Sequence, residues 1–246
     1  MLEPEMDAFV RRLAPGIERS WQGASTEDIE ELEELAEQDL PHFYRWFLST
    51  MGANAGSLNR VIKPYFARTI LSGYHQGDFD HGPPLLMVAR FDDPVIPVHY
   101  YYDLSRPIRN DAFVVRGRPR DGIVMAETLR EDLGSIILFV TRIRPARQRC
   151  LGVFRYTGSV KPVLNEVLAG LGFWCPLETG LYHGLYERPD MAITCSVQVK
   201  PDNLDLLVFR IGGSNSATIR SVLGSIVTET DIEISRLKWD PPLTGN

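Results

Sequence analysis

The chain has 246 residues, of which 44% are hydrophobic and 24% charged, the balance of a soluble globular protein with one large domain or two of ordinary size. Its net charge of −6 argues against general nucleic-acid binding and favours a partner with a basic surface. No apolar run approaches the ~20 residues of a membrane helix, and the acidic N-terminus lacks the layout of a signal peptide, so we expect a cytoplasmic protein.

The first long predicted feature is a pair of helices between Gly23 and Gly56, which follows a short helix over Pro4–Leu13. Ser25 or Thr26 is the predicted N-cap of the first helix of the pair, and Ser25 with Asp28 resembles a capping box. Leu40-Pro41 interrupts the pattern, because proline lacks an N–H and suits the first turn of a new helix. The second helix should end at Gly52 with a left-handed C-cap. Its apolar residues are Phe43, Tyr44, Trp46, Phe47, Leu48 and Met51.

The order of these residues resembles the opening of the SUKH superfamily, the Smi/Knr-type proteins. The matching residues are Gly23-Ala24-Ser25, Ile29, Leu40-Pro41, Tyr44, Trp46, Phe47, Leu48 and the glycines from Gly52. The resemblance covers roughly the first 145 residues. It implies an α+β fold with helices on a mainly antiparallel sheet. It also implies a bacterial immunity protein of a polymorphic toxin system, a toxin–antitoxin partnership.

The rest of the first 145 residues predicts a helical stretch, a polar loop, a meander of strands and a closing helix. Pro64 should kink or interrupt the helical stretch over 57–71, and the loop spans 74–84. Short apolar runs separated by turn residues predict the antiparallel meander. The predicted strands are Leu85–Ala89, Val95–Leu104, Ala112–Val115 and Gly122–Met125, and the closing helix is Thr128–Ile143. The sequence therefore predicts an α+β domain over residues 1–145.

A basic stretch around Pro145 predicts a linker, followed by a second unit over residues 146–246. The pattern of this unit is a strand, a helix, three strands and a helix. The predicted elements are Cys150–Tyr156, Val160–Leu171, Leu181–Glu187, Ala192–Val199, Leu204–Ile211 and Ala217–Val227. This order favours a smaller α+β sandwich, which could be ferredoxin-like with an extra strand. We expect a frayed tail from Lys238.

For each group of candidate catalytic or metal-binding residues, a structural role is a better interpretation than a functional one. His75, Asp78, Asp80 and His81 share a loop, but their spacing matches no familiar metal-ligand motif. His99 with Asp103 lacks a nearby nucleophile pattern, and the Gly212-Gly213 pair lacks a phosphate-binding fingerprint. The cysteines Cys150, Cys175 and Cys195 are predicted as buried thiols. We therefore expect a binding protein, not an enzyme, with no metal and no cofactor.

The predicted partner is a protein toxin with a basic surface, bound without direct contact to nucleic acid or membrane. Two acidic regions could meet it. The first is the helix from Glu27 to Glu37, although a solvated helix face is its commoner meaning. We predict the second, a loop and strand region with an exposed tyrosine, comprising Asp78, Asp80, Asp92, Asp93, Tyr101 and Asp103. Alternative functions are a regulatory scaffold and, less favoured, a metal-dependent hydrolase using the His75 loop.

Overall fold

The computed structural model describes residues 3–77, 82–91, 98–116, 123–197 and 206–242. The chain divides into two compact units, residues 1–133 and residues 134–246. The division falls inside a helix, whereas the sequence predicted a boundary at residue 145. The fold class is α+β, as predicted.

Helices form the first part of unit 1. They are α1 (Pro4–Leu13), α2 (Thr26–Ala36), α3 (His42–Met51), α4 (Asn59–Ile62) and α5 (Ala67–Gln76). The predicted helical stretch over 57–71 is interrupted, because Pro64 lies in a short 3₁₀ turn, Lys63–Tyr65, between α4 and α5. A further helix, α6 (Leu129–Leu138), continues as a π-helical segment over Phe139–Ile143.

The ends of α2 and α3 follow the predicted capping only in part. Ser25 Oγ accepts a hydrogen bond from Asp28 N at 3.1 Å, which caps α2 as expected. Gly52 has a φ of −69°, so the predicted left-handed C-cap of α3 is wrong. Glycine is instead required by space, since a Cβ there would lie 2.5 Å from Leu48 O. The left-handed residue is Glu37, at the end of α2, with a φ of 53°.

The sheet of unit 1 is the predicted antiparallel meander. Its strands are β3 (Leu85–Phe91), β4 (Val98–Ile108), β5 (Asp111–Arg116) and β6 (Ile123–Ala126), in that spatial order, while β1 (Trp21–Gln22) and β2 (Asn54–Ala55) form a separate small ribbon. Tyr44 of α3 meets Tyr102 of β4 edge to face, with ring centroids 5.4 Å apart. The aromatic face of α3 therefore packs in the core of unit 1, as its sequence pattern predicts.

Unit 2 is a five-stranded antiparallel sheet with two helices. Its elements are β7 (Gln148–Arg155), α7 (Val160–Gly170), β8 (His183–Arg188), β9 (Met191–Ser196), β10 (Leu206–Gly213), α8 (Ser216–Glu229) and β11 (Glu233–Asp240). The spatial order is β11-β7-β10-β9-β8. Strands β10 and β11, which α8 connects, lie on either side of β7, so they form a split β-α-β arrangement. The sequence missed β11 and predicted fraying from Lys238, but Ile234 and Trp239 pack against the core and hold this strand in place.

Both faces of the unit 2 sheet carry helical cover. The core beneath α7 and α8 includes Phe154 and Phe209, whose rings stack with centroids 4.0 Å apart. The segment Phe139–Ile143 packs on β9 and β10. Arg142 of this segment lies 3.3 Å from the buried Glu187 (Nε to Oε1). The stretch around Pro145, predicted as a linker, is a helix end followed by a short turn, and the division of the chain places it in unit 2.

Candidate functional site

Helix α2 carries two kinds of carboxylate, and the first kind is paired. Asp28 accepts a hydrogen bond from Arg68 Nε at 3.2 Å, and Glu31 Oε1 lies 2.6 Å from His75 Nε2. Glu33 pairs with Arg45 of α3 and also accepts a hydrogen bond from Leu40 N at 3.4 Å. These three carboxylates connect α2 to its neighbours, so their function is structural.

The second kind is a row of four exposed glutamates on one side of α2. Glu27, Glu30, Glu34 and Glu37 follow at intervals of three, four and three residues, the spacing of a single helix face. In the described part of the chain none of the four makes an ion pair. We call this surface the α2 carboxylate face. It presents concentrated negative charge to solvent.

Most of the α2 carboxylate face is unfavourable for the stability of its own helix, although Glu27 lies in the first turn, where the helix dipole favours an acidic residue. Like charges three or four residues apart repel one another. Glu34 and Glu37 lie at the C-terminal end, where the helix dipole favours cations, and the last turn contains no basic residue. Glu37 also occupies a left-handed position where glycine carries less strain. Local rules are most often broken at functional sites, which makes this face the best candidate for one.

The structure brings together little of the predicted partner-binding region. Asp78, Asp80, Asp92 and Asp93 lie outside the described residues. Asp103 is partly buried and accepts hydrogen bonds from Ser105 N and Ser105 Oγ, at 3.2 and 2.5 Å.

The expectation that Tyr101 is exposed is wrong, since its side chain is only 7% exposed. Tyr101 lies in β4 between β3 and β5. It stands opposite Met87 and Val115, which are both buried. A tyrosine at this inner position of the sheet contributes to the core of unit 1 and cannot serve as an exposed contact residue.

The other candidate sites have structural partners where they are described. His75 lies in the last turn of α5, not in the predicted loop, and pairs with Glu31, while Asp78, Asp80 and His81 lie outside the described residues. Across the described ranges no group of three or more His, Cys, Asp or Glu residues could hold a metal ion. Gly212 and Gly213 are the last residues of β10, and Asn215 Oδ1, just after them, caps α8 by accepting a hydrogen bond from Thr218 N at 2.8 Å. Each of these contacts fits the structural interpretation.

Two of the three cysteines are buried as predicted, and burial raises the pKa of Cys150 to about 11 and raises that of Cys195 further. Cys175 is exposed, which contradicts the prediction for that residue. It lies in the long connection between α7 and β8, outside every helix and strand of unit 2.

One buried carboxylate has a strongly perturbed pKa. Burial raises the pKa of Asp111 to about 7. Its carboxylate accepts hydrogen bonds from Ala112 N at 2.9 Å and from Arg130 N, in the first turn of α6, at 3.1 Å. A perturbed pKa can mark an active site, but these two donors are backbone groups, one in β5 and one at the start of α6. Asp111 therefore holds α6 against β5.

This carboxylate makes the stability of unit 1 depend on pH. The folded pKa of about 7 exceeds the ordinary value of 3.8, so the folded state binds the proton more tightly than the unfolded state. The free energy of unfolding is highest below about pH 4 and falls as the pH rises through 7. The total fall is about 4 kcal/mol. Denaturant unfolding at pH 5 and pH 8 should show a smaller pH dependence in Asp111→Asn than in the wild type. If the free energy of unfolding depends on pH equally in both proteins, folding does not raise the pKa of Asp111.

Comparison with known proteins adds no relative: no family model, no curated protein and no solved structure matches the chain. The resemblance to the SUKH superfamily thus rests on the residues of the α2–α3 region. None of the described helices has both the length and the apolar character needed to cross a membrane.

The α2 carboxylate face was visible in the sequence only as a dense acidic run. Its helical spacing could have been read from the positions of the four glutamates. The sequence could not show that Arg45, Arg68 and His75, from α3 and α5, pair with the remaining carboxylates of α2. That pairing is what separates the candidate binding residues from the structural ones.

Proposed function

We propose that this protein is a cytoplasmic immunity protein that binds a cognate bacterial toxin and blocks it by occlusion. The observation that carries the proposal is the α2 carboxylate face, four exposed glutamates without ion pairs in the described structure. The order of residues in α2 and α3 supports it, since it resembles the SUKH superfamily. The net charge of −6 also fits a basic partner.

The mechanism follows from charge and rigidity. Helix α2 is held in the fold by its buried residues Ile29, Leu32 and Ala36, so the exposed glutamates stand on a preformed surface. A preformed surface loses little conformational entropy on binding. Many toxins of this kind would present a basic substrate groove. Attraction between that groove and the acidic α2 carboxylate face would speed association. Covering that groove would exclude the substrate without any chemical step by this protein.

The proposal predicts the result of reversing charge on the α2 carboxylate face. Glu30→Lys combined with Glu34→Lys should weaken toxin binding at least tenfold, mainly by slowing association, and more strongly at low salt, where screening is least. The melting temperature should not fall, because the substitutions remove like charges from one helix face. Surface plasmon resonance at two salt concentrations, together with thermal unfolding, measures both effects.

The matched control is the same charge reversal in the region first predicted to bind, Asp92→Lys with Asp93→Lys. Binding that survives this change but not the α2 change places the interface on α2. If only the Asp92 and Asp93 reversal weakens binding, the α2 carboxylate face is a solvated surface and the loops carry the interface.

A further inference from the structure

Unit 2 contains a cavity of about 460 Å³ on the sheet face that Phe139–Ile143 partly covers. This volume lies within the range of small-molecule sites in proteins. Its lining combines the apolar side chains Phe139, Ile143 and Leu151 with four cations. The cations are Arg144, Arg149, Arg210 and Lys238, and the one carboxylate among the lining residues is Asp240. The cavity is thus basic although the chain as a whole is acidic.

Strand register explains how the cations and the apolar floor come together. Leu151 of β7 stands opposite Arg210 of β10 on one side and opposite Lys238 of β11 on the other. Residues opposite one another in neighbouring strands point to the same face of a sheet. Leu151, which is 38% exposed, is therefore flanked by two cationic residues whose backbones are about 10 Å apart, twice the strand spacing.

The remaining contacts fix the wall of the cavity. Arg149 donates to Asp240 Oδ2 at 2.6 Å and to the carbonyl oxygen of Arg144 at 2.7 Å, so it holds the turn after Ile143 in place. Gly212 lets this turn approach closely, since a Cβ there would lie 2.6 Å from Ile143 Cα. The Arg210 guanidinium carbon lies 5.5 Å from the centre of the Phe139 ring. These contacts hold one wall of the cavity in place.

We propose that this cavity binds a small organic anion with a flat apolar body. The apolar body would lie on Leu151 and beside Phe139, and the anionic group would meet Arg210 and Lys238. Asp240, the one carboxylate among the lining residues, pairs with Arg149. Arg144 and Lys238 are exposed and make no ion pair within the described residues. A bound anion could therefore pair with them without disrupting an existing ion pair. The proposal is independent of toxin binding by unit 1.

Anilinonaphthalene sulfonate, a fluorescent aromatic anion, is a direct test of this site. The full-length wild-type protein should bind it saturably with one site per chain, and inorganic sulfate should compete only at much higher concentration. Arg210→Met with Lys238→Met should weaken binding at least tenfold, since both substitutions keep the apolar stem and remove the charge. Because Lys238 is exposed, Lys238→Met alone should keep the fold and still weaken binding severalfold.

The control is Arg220→Met in α8. Arg220 also lies over an aromatic ring, 5.8 Å from the centre of Trp239, but it does not line the cavity. Its replacement should change the affinity less than twofold. The proposal is overturned if the dye does not bind saturably, or if all variants bind it as tightly as the wild type. Competition by inorganic sulfate at the concentration of the dye would also overturn it, because the apolar part of the site would then contribute nothing.

Discussion

Replacing Trp46 with alanine should lower the free energy of unfolding by about 3–5 kcal/mol, the usual result of emptying a large aromatic site. Trp46 is only 4% exposed, and its ring centroid lies 5.5 Å from that of Phe43 on the same helix. The cavity left by the indole could not close without moving α3. Urea unfolding followed by circular dichroism measures the loss without depending on tryptophan fluorescence.

Trp174→Ala is the matched control, because Trp174 is 44% exposed. Its contact with Glu187 is made by backbone atoms, which the substitution leaves intact. This variant should lose less than about 1 kcal/mol, as exposed positions usually do. Equal losses in the two variants would contradict the burial of α3 and, with it, the packing that the α2–α3 pair requires.

Replacing Gly212 with alanine should destabilise unit 2 by about 1–3 kcal/mol, the range for overpacking in a well-packed site. The added Cβ would lie 2.6 Å from Ile143 Cα and 2.8 Å from Ile143 O. Because both are backbone atoms, relief requires the helix end to move away from the sheet. Chemical denaturation monitored by circular dichroism would report the change.

Gly224→Ala is the opposite case in the same unit. Gly224 lies inside α8, and apart from the nearby backbone of α8 itself nothing stands within 4 Å of an added Cβ. Alanine is the better helix former, so this variant should gain about 0.5–1 kcal/mol. A Gly212→Ala protein as stable as the wild type would show that the segment Phe139–Ile143 does not press on β10.

The sequence predicted those elements whose signals are local. The bounds of α1 match the prediction, and Ser25 marks the start of α2 because its hydroxyl meets a backbone N–H three residues away. The strands β3 to β6 follow from short apolar runs between turn residues. The buried aromatics of α3 follow from helical periodicity.

Features that depend on distant partners could not be predicted in this way. Strand β11 has little apolar periodicity, with a register shift between Ser235 and Lys238, and it is held by pairing with β7. Tyr101 is buried because β3 and β5 flank β4, which its own sequence does not reveal. The α2 carboxylate face emerges only when pairing with α3 and α5 is known, and the cavity of unit 2 only when three strands are aligned.

Titration calorimetry between this protein and the products of the two genes that flank its own is the most direct test of the proposed function. The account predicts a one-to-one complex with one of these products, a toxin whose activity is lost in the complex. Glu30→Lys with Glu34→Lys should weaken that complex at least tenfold. The account is contradicted if neither product binds, or if a complex forms while the toxin keeps its full activity.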